Sequence, residues 1–130
     1  MRALAREVAF KKIYESLFVS NENDMDKFFD IDNLTEDEDK NFCSELVELY
    51  FKNKEDVKNT IDSLLVDFLP ERVFKIDRAI ISLATVEMKY YQKTPVAIVI
   101  NEAVKLAKKY GAEKSYSFVN GILKSISKEI

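Results

Sequence analysis

The segment Ala79-Ile80-Ile81-Ser82-Leu83-Ala84-Thr85-Val86-Glu87-Met88 is apolar in nearly every direction when wound as a helix. A surface helix carries its apolar residues on one stripe, whereas a helix apolar all round must be covered on most sides. The segment sits within a helix expected from about Glu71 to Tyr91. That helix should be the one the others pack around. The sequence has few means of covering it with anything but helices. It holds only two Gly and two Pro in 130 residues, and a sandwich or barrel uses many tight turns that need both. One domain spanning 1–130 is expected, with enough chain to bury a core of its own.

The covering helices are legible from their apolar spacing. Ala9, Ile13 and Leu17 step by four, with Phe10 and Tyr14 alongside, and predict a helix over Leu4 to about Phe18. Residues 19–34 are rich in Asn and Asp, which favour local turns, so a loop with one short helix around Met25–Phe29 is expected. Thr35-Glu36-Asp37-Glu38 fits a capping box, with Thr35 as N-cap. Phe42, Leu46, Leu49 and Tyr50 form the next stripe; Val57, Ile61, Leu64, Leu65 and Phe68 form another, ended by Pro70. Thr94-Pro95 predicts a start with Thr94 as N-cap and Pro95 at the first helical position. Gly111 is expected as a left-handed C-cap after Val96, Val99, Ile100, Ala103, Leu106 and Ala107. Val119, Ile122, Leu123 and Ile126 share a face of the last helix, where Gly121 is expected to admit a close neighbour. The fold class is all-α, a compact bundle of six or seven helices.

Composition removes most enzyme classes. There is no His, so the commonest general acid/base and zinc ligand is missing. The single Cys, Cys43, cannot form an intrachain disulfide and reads as a small hydrophobe. No Gly-rich phosphate loop occurs, and Glu36-Asp37-Glu38-Asp39 lacks the spaced oxygens and turn glycine of a calcium loop. No catalysis, cofactor or metal is expected. No stretch approaches the roughly 18 apolar residues of a membrane span, and the first residues hold no signal-type apolar run. A cytoplasmic protein is therefore expected, without membrane contact. Charge is unevenly spread: residues 1–18 carry four basic and two acidic side chains, 19–74 carry six and sixteen, and 75–130 carry ten and five. Basic ends around an acidic middle suit either solvated helix faces or a polyanion-binding surface.

Three stretches resemble a known family. Thr94-Pro95, then Ile100-Asn101-Glu102-Ala103-Val104-Lys105-Leu106-Ala107-Lys108-Lys109-Tyr110-Gly111, then Phe118-Val119-Asn120-Gly121-Ile122-Leu123, are similar to the NusB signature. Asp77-Arg78-Ala79-Ile80 with Ala84, and Ala5-Arg6-Glu7 with Ala9 and Tyr14, extend the likeness over most of the chain. The resemblance implies two small helical subdomains and an adaptor of transcription antitermination. It implies boxA-type single-stranded RNA as ligand and NusE, a small-subunit ribosomal protein, as partner. Other Nus factors and RNA polymerase are then engaged indirectly, during ribosomal RNA transcription. On this reading Arg2, Arg6 and Lys114 are the candidate RNA cations, and Tyr14 and Phe118 the candidate base platforms. For the two aromatics, core packing is the alternative. Asp77, Arg78 and Glu87 are the candidate partner contacts, with an intramolecular ion pair the equal alternative for Glu87. Ala3 and Leu4 interrupt the basic cluster that usually opens the family's first helix. RNA binding is therefore expected to depend more heavily on the protein partner. The competing reading is a helical protein–protein module, such as a homodimer, with little RNA affinity.

Overall fold

The computed structural model describes residues 2–18, 34–65 and 73–130. The expected short helix at Met25–Phe29 and the stop at Pro70 lie outside them. Six α-helices and no strand occur among the described residues: α1 (Arg2–Ser16), α2 (Asp37–Lys52), α3 (Lys54–Ser63), α4 (Lys75–Val86), α5 (Val96–Tyr110) and α6 (Ser115–Glu129). A single π-helical turn, Glu87–Tyr91, prolongs α4.

α4 is the hub, as its all-round apolarity requires. It packs against α1, α2, α3, α5 and α6. From Ala79 to Val86 every residue is buried, including Ser82 and Thr85. The Thr85 hydroxyl is accommodated there because it donates to the Ile81 carbonyl at 2.7 Å, leaving no unmet polar group. α1 brings Ala5, Ala9 and Ile13 to the core, and α5 brings Val99, Ala103 and Ala107. Small residues on both facing helices let their backbones come close to α4. α2 adds Phe42, Leu46 and Tyr50; α3 adds Val57 and Ile61; α6 adds Val119, Leu123 and Ile126.

Several local expectations are corrected. The capping box does not form: α2 starts at Asp37 with Glu36 as N-cap and no side-chain cap bond. The first-turn acids Asp37, Glu38 and Asp39 complement the helix dipole there instead. Thr94 is not a cap. Pro95 itself is the N-cap, at φ −55° and ψ 137°, and its carbonyl accepts from the Ile98 and Val99 amides at 3.0 and 3.2 Å. The fixed proline φ serves the extended N-cap as well as it serves the first helical position. Gly111 is extended, at φ −86° and ψ −176°, rather than left-handed. The left-handed residue is Gln92, at φ 59° after the π-turn.

The two glycines are needed for opposite reasons. A Cβ on Gly111 would lie 2.5 Å from Ser115 Cβ, 2.6 Å from its Oγ and 2.7 Å from the Ala107 carbonyl oxygen. Gly111 is what lets the α5–α6 connection close. A Cβ on Gly121 would meet nothing within 4 Å, so the expected close helix approach there is absent. Gly111→Ala is expected to destabilise the fold by about 1–3 kcal/mol through overpacking. Gly121→Ala should stabilise it by up to about 1 kcal/mol through helix propensity. Urea unfolding of both variants reads the two signs directly.

Candidate nucleic-acid interface

α1 runs antiparallel to α4, so its first turn lies beside the π-turn. There Arg6 Nε and Nη2 donate to Glu87 Oε1 and Oε2 at 2.8 and 2.7 Å. Both residues are buried, Arg6 with 6% and Glu87 with 1% of its surface exposed. This two-pronged geometry is the strongest form of an ion pair. Burial alone lowers the Arg6 pKa, but the bonds and charge of Glu87 override it and hold the guanidinium above its ordinary value. The Arg6 guanidinium also lies over the Phe42 ring, 5.2 Å from its centre.

Arg2 is exposed one turn earlier. Its guanidinium sits 4.5 Å over the same Phe42 ring, and Nη1 reaches the Tyr91 hydroxyl at 3.4 Å. Further along α1, Glu7 accepts from Lys109 Nζ at 2.8 Å and from the Tyr110 hydroxyl. Burial raises the Glu7 pKa, and those two donors bring it below the ordinary range. Lys11 and Lys109 lie on the Tyr110 ring, each 5.4 Å from its centre. Lys109 and Glu7 lie 102 positions apart, and their pairing has no signal in one dimension.

Toward the far end, roughly 18 Å along the α1 axis from Arg2 at 1.5 Å per residue, Tyr14 is half-buried between Phe10 and Phe18. Phe18 is exposed, and Lys75, which opens α4, lies 5.4 Å from its ring centre. Beside Lys75, Phe74 is exposed at the rim of a cavity of about 380 Å³. Asp77, Lys114, Ser115 and Phe118 also line it. Asp77 is 6% exposed, yet its Oδ1 has no hydrogen-bond partner among the described residues. Burial pushes the Asp77 carboxyl above the ordinary range, offset in part by the Ser115 hydroxyl. A buried acceptor with no donor among the described residues, at the wall of a mostly apolar cavity, is complementary to a donor from another molecule.

The sequence-derived residues thus fall into separate groups. Arg2, Arg6 and Glu87 meet at one end of α1. Tyr14, Lys114, Phe118 and Asp77 belong to the other end. Lys114 is exposed just ahead of α6, apart from Arg2 and Arg6, so the three candidate RNA cations do not form one cluster. Arg78 points away from Asp77 and donates to Asp62 on α3 at 2.8 Å. Arg6 and Glu87 are turned inward, toward each other. Phe18, Phe74, Lys75 and Lys93 were not singled out from sequence, because isolated aromatics and lysines carry no pattern until the fold groups them. Cys43 is buried and its thiol is pushed up to about 11 by burial, tempered by Lys12. Among the described residues no group of three His, Cys, Asp or Glu could hold a metal. No described helix is long and apolar enough to cross a membrane.

The class defined by this geometry is a small all-helical bundle wound on one buried helix, with a mixed cationic and aromatic face along α1. Residues 3–128 match the NusB family, and the chain belongs to it. It is 36% identical to the transcription antitermination protein NusB of Acetivibrio thermocellus, over 98% of this chain and 88% of that one. It is also 36% identical to that of Finegoldia magna, over 98% and 93%. Among solved structures, T. maritima NusB aligns with a TM-score of 0.88 at 27% identity, over 99% of this chain and 92% of that one. A structure of the antitermination factors NusB and NusE in complex with dsRNA aligns with a TM-score of 0.87 at 26% identity, over 99% and 97%.

Glu87→Ala leaves the Arg6 charge buried without its partner and is expected to cost about 3–5 kcal/mol, measured by denaturant unfolding. Asp77 gives a pH signature. Its raised folded pKa means the folded chain keeps this proton to higher pH than the unfolded chain does. Stability therefore falls as pH climbs from the ordinary carboxylate range through the raised value. Asp77→Asn should remove that fall and melt above the wild type at neutral pH, as thermal melts across the acid-to-neutral range will record.

Proposed function

We propose that this chain is a transcription antitermination adaptor that binds boxA-type single-stranded RNA together with the ribosomal protein NusE during ribosomal RNA transcription. Other Nus factors and RNA polymerase are engaged through that complex. The chain works as one domain over 1–130, in the cytoplasm, without catalysis. The observation that carries this reading is the near-full-length likeness to a NusB seen with NusE and RNA. That RNA is double-stranded, whereas the α1 face described above suits a single strand, whose unstacked bases need planar partners as well as cations.

On this reading the RNA follows α1. Arg2 and Lys114 meet phosphates near its two ends, and Tyr14 and Phe118 offer ring surface at the Lys114 end. Arg6 acts from inside by holding α1 against the π-turn through Glu87, so it positions the face rather than touching phosphate. The protein partner takes the Asp77 cavity, where Phe74 and Phe18 supply apolar contact and the unpaired Asp77 oxygen accepts a donor. Arg78 supports this face through its ion pair with Asp62, whereas Glu87 supports the RNA face through its pair with Arg6.

The second reading, a helical protein–protein module or homodimer, draws on the exposed Phe18 and Phe74 and on the inward turn of Arg6. RNA titrations at several salt concentrations, with and without NusE, separate the two. The adaptor reading expects salt-dependent RNA binding that tightens when NusE is present. Asp77→Ala should lose most of that tightening while leaving the NusE-independent binding unchanged. No RNA binding in either condition would contradict the adaptor.

A further inference from the structure

The π-turn ends on Gln92 in the left-handed region, φ 59°, with its amide donating to the Glu87 carbonyl at 3.0 Å. π-turns inside α-helices recur at functional sites. This one folds the chain back, so that Lys93 Nζ lies 5.2 Å from the centre of the Tyr91 ring. Arg2 reaches the same tyrosine from α1, with Nη1 at 3.4 Å from its hydroxyl. Tyr91 is held in turn by Phe42, edge to face with ring centres 5.2 Å apart. Both rings are buried, whereas Arg2 and Lys93 are exposed. Neither cation pairs with a carboxylate among the described residues. Glu87, the carboxylate of the same turn, is taken by Arg6.

Two cations are thus brought to one rigid aromatic support with no carboxylate paired to either among the described residues. Like charges so placed repel, and an anion bridging them relieves the repulsion. The Tyr91 hydroxyl accepts from Arg2, which leaves its own proton to donate. We propose that Arg2, Tyr91 and Lys93 form a phosphate subsite that takes a phosphodiester of the RNA backbone at the start of α1. Lys93 supplies there the positive charge that Arg6 spends on Glu87. The subsite extends the RNA path past the helix end to the turn before α5. It rests on the RNA reading given above.

The test titrates a boxA-type RNA against the full chain in the presence of NusE, at several salt concentrations. Lys93→Gln should weaken binding and reduce the slope of log affinity against log salt by about 0.7, the value of one phosphate contact on a single strand. Lys93→Arg should keep the wild-type slope. Lys124→Gln, an exposed change on α6, should leave both affinity and slope unchanged. An unchanged slope in Lys93→Gln, or an equal loss in Lys124→Gln, overturns the subsite while leaving the RNA reading intact. A wild-type chain that does not bind RNA overturns that reading, and the subsite with it.

Discussion

The buried Arg6–Glu87 pair is the constraint on which the rest of this surface depends. α4 is so apolar that a carboxylate near its end has to be neutralised locally. Arg6 does this from α1 with two bonds of 2.8 and 2.7 Å. The pair fixes the position and rotation of α1 on the hub. That decides which α1 residues are presented: Arg2 and Lys11 outward, Tyr14 half-buried at the edge, and Ala5, Ala9 and Ile13 inward. A buried ion pair is weak evidence for stability, since apolar replacements often do as well. Its contribution here is to specify one geometry. The same bond withdraws one of the two N-terminal arginines from solvent.

The two ends of α1 differ in chemistry. Near the π-turn, exposed cations rest on buried rings, an arrangement suited to anions. Near the start of α4, the exposed Phe74 and the half-buried Phe118 line an open cavity beside an Asp77 oxygen that has no partner among the described residues, an arrangement suited to a protein side chain with donors. Between them the Glu7 carboxylate, held by Lys109 and Tyr110, ties the end of α5 to the middle of α1. One helix thus joins an anion-seeking end to a donor-seeking end. That is what an adaptor gripping RNA and protein together requires.

Much of this was legible in the sequence. The all-round apolarity of residues 79–88 marked α4 as the hub, and the stripes of α1, α5 and α6 fell where periodicity put them, except that Val96, expected on the α5 stripe, is 40% exposed at the helix start. Local punctuation was less legible. Thr35 and Thr94 carry N-cap chemistry, but neighbouring residues met the same backbone needs. Gly111 marks its turn because Ser115 crowds it and not because of its φ. The site was legible as residue types and hidden as geometry. Arg6 and Glu87 lie 81 positions apart, and nothing in either neighbourhood says that each is the other's partner. Lys93 looked like an ordinary loop lysine, because the left-handed Gln92 that aims it is not a glycine.

The most direct measurement is the salt dependence of RNA binding, with NusE present, in the double variant Arg6→Met, Glu87→Leu. The exchange removes both buried charges, leaves the net charge unchanged and fills the space with apolar groups. If Arg6 acts only by holding α1 in place, the folded double variant binds RNA with the wild-type salt slope. A slope lower by about 0.7, one phosphate contact, would place Arg6 on the RNA and contradict the account.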